Sequence, residues 1–115
     1  MRKLTDLRLR DAAWILRKVF KEADSQIIKW GIQTHSSFEW LTYTTEELGS
    51  LAKAIGEYEY RDGTKDKIVS EAIQVATLAL KIAEMFENIK TIDDEISNDY
   101  RTSHLGKFPG KNMGD

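Results

Sequence analysis

Cysteine is absent from this 115-residue chain, so neither a disulfide nor a thiolate metal site is open to it, and a reducing compartment fits. Proline occurs once, at Pro109, and glycine seven times, which leaves long stretches with no helix breaker. Charge of one sign is also lacking. A formal net charge of −2 gives no general attraction to nucleic-acid polymers or acidic membranes. The longest uncharged run, Ala72–Leu80, is far too short to span a bilayer. Met1–Leu4 begins like a signal n-region, but Asp6, Arg8, Arg10 and Asp11 interrupt any apolar segment behind it. These absences predict a soluble cytoplasmic protein whose partners include no membrane and no nucleic-acid polymer.

What is present is a globular balance, 41% hydrophobic and 31% charged, in a chain long enough for one core. Helical periodicity runs nearly throughout and predicts an all-α fold. A first helix is expected after Thr5, with Ala12, Ile15, Leu16, Val19, Phe20 and Ala23 at three- and four-residue spacing. Asp24-Ser25 marks its end or a bend, and Gly31 leaves the state of Ile27–Ile32 open. Ser36-Ser37-Phe38-Glu39 reads as a capping box opening a second helix that runs to Tyr58 or Tyr60. Arg61–Thr64 is the turn, and a third helix follows from about Asp66 to Ile89. Its apolar residues, from Ile68 to Phe86, cover more than half its circumference, which calls for cover from a partner subunit as well as from the other helices. Thr91–Asp94 reads as the cap of a short fourth helix ending near Tyr100. Residues 1–100 are thus expected to form one helical domain, and the glycine-rich residues 101–115 a flexible tail.

Two helices carry acids on or beside apolar stripes. On the second, Leu41, Thr44, Leu48, Leu51, Ile55 and Tyr58 form the stripe, and Glu47 falls on its border with Glu46, Ser50 and Lys53 alongside. On the third, Glu71 lies three residues after Ile68 and four before Val75, and Gln74 is its neighbour on the next turn. A lone buried carboxylate costs several kcal/mol unless it is paired or coordinated. Acids at facing positions on two helices therefore suggest a shared cation, and a hard ion such as Mg²⁺ takes oxygen ligands.

The runs "TEELGSLAKAI" and "SEAIQVATLAL" resemble the MazG-like, all-α nucleoside triphosphate pyrophosphohydrolases, whose signature is E-E-x-x-E, a spacer, then E-x-x-D. The preceding "KWGIQTHSSFEWL" resembles that family's entry into its second helix, and the similarity covers roughly residues 29–85. It implies a four-helix bundle completed as a homodimer or homotetramer. It also implies Mg²⁺ (Mn²⁺ as a substitute) and cleavage of a nucleoside triphosphate, ribo or deoxy, to the monophosphate and pyrophosphate. Position by position, Glu46 and Glu47 match the opening acids of the first motif and Glu71 the first acid of the second. Ser50 stands where the family has its last glutamate, and Gln74 where it has aspartate. The implied metal ligands are then Glu47, Glu71, Ser50 and Gln74, two of them uncharged, which lowers Mg²⁺ affinity. Glu46 or Glu47 would place or deprotonate the attacking water. Lys53, Arg61 and Lys67, with Lys65, lie on or near the turn where they can meet phosphates, and Trp40, Trp30 or Tyr43 can stack on a base.

Plainer readings stand beside these. Glu46 and Glu47 also fit a solvated helix face, and Glu71 an i,i+4 ion pair with Lys67. Gln74 fits a buried amide, Ser50 a point of close helix approach, and His35 a partner for Glu39. Asp93, Asp94 and Glu95 fit helix N-terminal charges. On that reading the chain is a catalytically inactive bundle that binds nucleotide or serves as an oligomeric interaction module.

Overall fold

The computed structural model describes residues 2–89, and these are helical, with no strand among them. A 3₁₀ turn at Leu9–Asp11 is followed by α1 (Ala13–Trp30), α2 (Ser37–Tyr60) and α3 (Lys65–Glu87). No helix among the described residues is long and apolar enough to cross a membrane. The chain divides into two compact units after Glu84, and α1, α2 and most of α3 belong to the first. The fourth helix expected after Thr91, the acids Asp93, Asp94 and Glu95, and the expected tail at 101–115 all lie outside the described residues.

The boundaries follow local chemistry where caps exist. The Ser36 hydroxyl accepts from the Glu39 N–H at 3.1 Å, and the Ser36 N–H donates to Glu39 Oε1 at 2.7 Å, so the expected capping box opens α2. Gly31 closes α1. Its φ of 74° and ψ of −178° suit only glycine, and its N–H donates to the Ile27 carbonyl at 2.7 Å. Asp24 and Ser25 do not end the helix, which runs on to Trp30. The start of α1 falls later than the spacing predicts, at Ala13 rather than soon after Thr5. Further upstream, the Arg2 guanidinium donates to the Tyr58 hydroxyl at 2.7 Å and lies 4.8 Å from that ring's centroid, which sets residue 2 against the end of α2.

Among the described residues, Val19 from α1, Ala54 from α2 and Leu78 from α3 are the buried apolar ones, joined by Thr77, whose hydroxyl donates to the Ile73 carbonyl at 2.7 Å. The inner face of α1 therefore runs through Ile15, Val19, Glu22 and Gln26, whereas Leu16 and Phe20, expected on the apolar stripe, are exposed. On α2 the inner face is Trp40, Thr44, Glu47, Leu51, Ala54 and Tyr58. Of the stripe read from the sequence, Thr44, Leu51 and Tyr58 lie on this face, whereas Leu41 is 53%, Leu48 53% and Ile55 43% exposed along its other edge. The reason is the neighbour's position, which the period of one helix does not encode.

The α2–α3 turn sets the register between the two acidic helices. The Arg61 and Gly63 N–H groups both donate to the Glu57 carbonyl, at 2.8 and 3.1 Å, so the chain doubles back along the last turn of α2 before α3 begins. A Cβ on residue 63 would lie 2.8 Å from the Glu57 carbonyl carbon and the Tyr58 nitrogen, so only glycine allows this approach. The Thr64 hydroxyl then accepts from the Lys67 N–H at 3.3 Å at the head of α3. From this crossing Glu71 lies eight residues along α3, about 12 Å, and Glu47 ten residues back along α2, about 15 Å, at 1.5 Å per residue. The turn thereby brings the two acids level.

Candidate cation site at the junction of the helices

Glu71 is 6% exposed, the one carboxylate among the described residues that is buried. Its Oε2 receives the Lys67 ammonium at 2.9 Å, one turn earlier on α3. Its Oε1 is buried with no hydrogen-bond partner. That is an expensive state for a charged oxygen and calls for a proton donor or a cation beside it.

Glu47, half-buried on the facing helix, lies within hydrogen-bonding range of Glu71. Desolvation raises the Glu47 pKa above the ordinary glutamate value, and the neighbouring Glu71, Glu22 and Glu46 push it the same way. Glu71 moves in the opposite direction: the hydrogen bond from Lys67 holds its pKa down against its burial. The Lys67 ammonium is itself pushed up by that contact with Glu71. Of the two, Glu47 is thus the one driven toward its neutral form, and Glu71 the one held ionised by Lys67.

Glu22, on the inner face of α1, brings a third acid toward the same junction from a third helix. It accepts from Gln26 Nε2 at 2.9 Å, and Gln26 Oε1 accepts from Lys81 Nζ at 2.6 Å, a polar chain that ties α1 to α3. Neither residue stands out in the sequence. Their signal was present in the spacing Ile15, Val19, Glu22, Gln26, but Leu16 and Phe20 offered a more apolar alternative.

The remaining candidates divide by position. Gln74 is half-buried one turn beyond Glu71, and Trp40 lies on the inner face of α2 two turns before Glu47. Trp40 packs edge-on against His35 and Tyr43, with ring centroids 5.0 and 6.1 Å away, and His35 lies 5.1 Å from Tyr43. Glu46, Ser50, Lys53 and Arg61 are exposed, as is Lys67 for most of its length. Among the described residues no three His, Asp or Glu side chains gather into a group that would hold a metal unaided. The pair still suits a hard divalent ion of the kind that keeps most of its waters, because Mg²⁺ commonly takes one or two carboxylates and fills its shell with water and phosphate oxygens. The unpartnered Oε1 of Glu71 is the atom that favours such an ion. No protein-family model, no curated protein and no solved structure matches the chain.

Proposed function

We propose that the chain is a MazG-like nucleotide pyrophosphohydrolase, a cytoplasmic enzyme that splits ribo- or deoxyribonucleoside triphosphates into monophosphate and pyrophosphate. The observation that carries this reading is the buried, unpartnered Oε1 of Glu71 beside Glu47 on the facing helix. Glu47 and Glu71 would hold Mg²⁺ or Mn²⁺, with the Gln74 amide and the Ser50 hydroxyl contributing through water. When bound, the ion neutralises phosphate charge and lowers the pKa of a water. Glu46 or Glu47 would place or deprotonate the attacking water. Lys53 and Arg61, exposed beyond Glu47 on the same helix and turn, are the phosphate contacts, and Trp40 offers its ring to the base.

The bundle would be completed by a fourth helix and by a second copy of the chain, as a homodimer or homotetramer. Leu41, Leu48 and Ile55, seven residues apart on one exposed line of α2, support that assembly. The exposure of Ser50, with no metal-holding group of three acids among the described residues, favours a second reading, a bundle that binds nucleotide or partners without catalysis. The deciding assay is pyrophosphate and monophosphate release from a panel of nucleoside triphosphates with Mg²⁺ or Mn²⁺. Turnover that Glu47→Ala reduces at least 100-fold is the expected result. No turnover with either ion would leave the non-catalytic bundle.

A further inference from the structure

Lys67 is an unusual partner for a buried acid. Its side chain is 61% exposed and that of Glu71 only 8%, so the ammonium reaches in from the rim of the junction and covers the outer oxygen of a carboxylate whose inner oxygen has no partner. An ordinary i,i+4 pair has both ends in water and little effect on either. Here the pair neutralises half of the charge that Glu47 and Glu71 could present together. A divalent ion drawn to Glu71 must therefore either accept a single oxygen, Oε1, or evict Lys67 from Oε2.

We propose that Lys67 is a resident cation of this site, competing with a divalent metal ion for Glu71 and setting the affinity of the acid pair for that ion. The inference rests on the reading of Glu47 and Glu71 as a cation site, and it assigns the regulation of that site to a residue of the chain itself. Glu22, Glu46 and Glu57 add negative field around the same groups without a contact to Glu71 of the kind Lys67 makes. Lys67 is thus the positive charge whose removal would most change what the pair attracts.

The test is a Mn²⁺ titration of the full chain, with free Mn²⁺ read by electron paramagnetic resonance, so that affinity is measured independently of fold stability. Lys67→Met is expected to bind Mn²⁺ about tenfold more tightly than the natural chain, as removal of a contacting like charge implies, whereas Lys67→Arg, which keeps the charge, stays near the natural value. A Ser50→Glu, Gln74→Asp double variant serves as the reference for added acid. If that variant binds more tightly but Lys67→Met does not, the role of Lys67 is overturned and the acid pair stands. If neither the natural chain nor any variant binds Mn²⁺ at millimolar concentration, the cation-site reading falls and the Lys67 inference with it. Circular dichroism of each variant confirms that the helices are retained.

Discussion

Glu39 and Glu47 stand two turns apart on the same helix, and their environments drive them in opposite directions. Glu39 is exposed, and the Ser36 backbone N–H, chief among its neighbours, holds its pKa below the ordinary value of 4.5. Glu47 is half-buried opposite another acid, and desolvation, above all else, raises its pKa from the same value. One carboxylate meets the unsatisfied donors of a helix N-terminus and closes the helix; the other meets a carboxylate and leaves a group that still needs a proton or a cation. A side chain's role here is set by what lies across from it, not by its type or its helix.

The comparison is most directly broken at Gly63, which lies against the backbone of Glu57 and Tyr58 and levels Glu47 with Glu71. Gly63→Ala should destabilise the fold by about 1–3 kcal/mol, the usual cost of forcing atoms into a packed contact. As the turn moves off α2, the Glu47 pKa should fall back toward that of Glu39. Chemical denaturation together with carboxyl NMR titration would show both effects. An unchanged Glu47 titration in a destabilised protein would separate the turn from the register of the acids.

A smaller effect is expected from Glu47→Gln, which puts a permanent amide donor where the natural chain needs a proton. Net hydrogen-bond contributions suggest a gain of about 0.5–1.5 kcal/mol at neutral pH. The sign follows from linkage. Because the folded pKa of Glu47 is raised, its stabilising contribution is full below 4.5 and is lost as pH rises through the folded value. Glu47→Gln should therefore flatten the decline in stability on the alkaline side of 4.5, and pH-dependent urea denaturation would register it.

The least effect belongs to Glu39→Gln, since an exposed carboxylate is replaced by an amide whose oxygen can still accept from Ser36. Here the slope reverses. The folded pKa is depressed, so the contribution is present above 4.5 and is lost as pH falls through the lower folded value. Glu39→Gln should remove part of the acid-side loss and leave the alkaline side untouched. Parallel denaturation series on the two variants sharpen the contrast: slopes that do not differ in sign would mean that the two sites are not electrostatically distinct.

Much of this architecture was legible in the residues. The helical class, the Ser36–Glu39 box, the extent of α2 and the turn at Arg61–Thr64 all follow from local patterns, because capping and periodicity act within a few residues. The place of Glu71 was legible as well, since its stripe on α3 is read from the spacing of Ile68 and Val75. The start of α1 was not, because no side-chain cap marks it at Ala12. The inner face of α2 was half legible: Thr44, Leu51 and Tyr58 of the expected stripe lie on it with Glu47 at their side, but Leu41, Leu48 and Ile55 are exposed and Trp40 and Ala54 take their place. Hydrophobicity ranks a helix's faces but does not say which one a neighbour covers, and an amphipathic helix with two apolar lines admits either rotation.

By itself, then, the sequence determined an all-helical chain, the capping box and extent of α2, the turn before α3 and two acids on neighbouring helices, through interactions that reach one or two turns. Only the tertiary structure decided that the acids stand level, that Glu22 joins them from α1, and that Lys67 shields one oxygen of Glu71 while the other is left bare. Those facts depend on a turn that doubles back at Gly63 and on the rotation of each helix against the next. Both are settled by close packing between segments far apart in the chain.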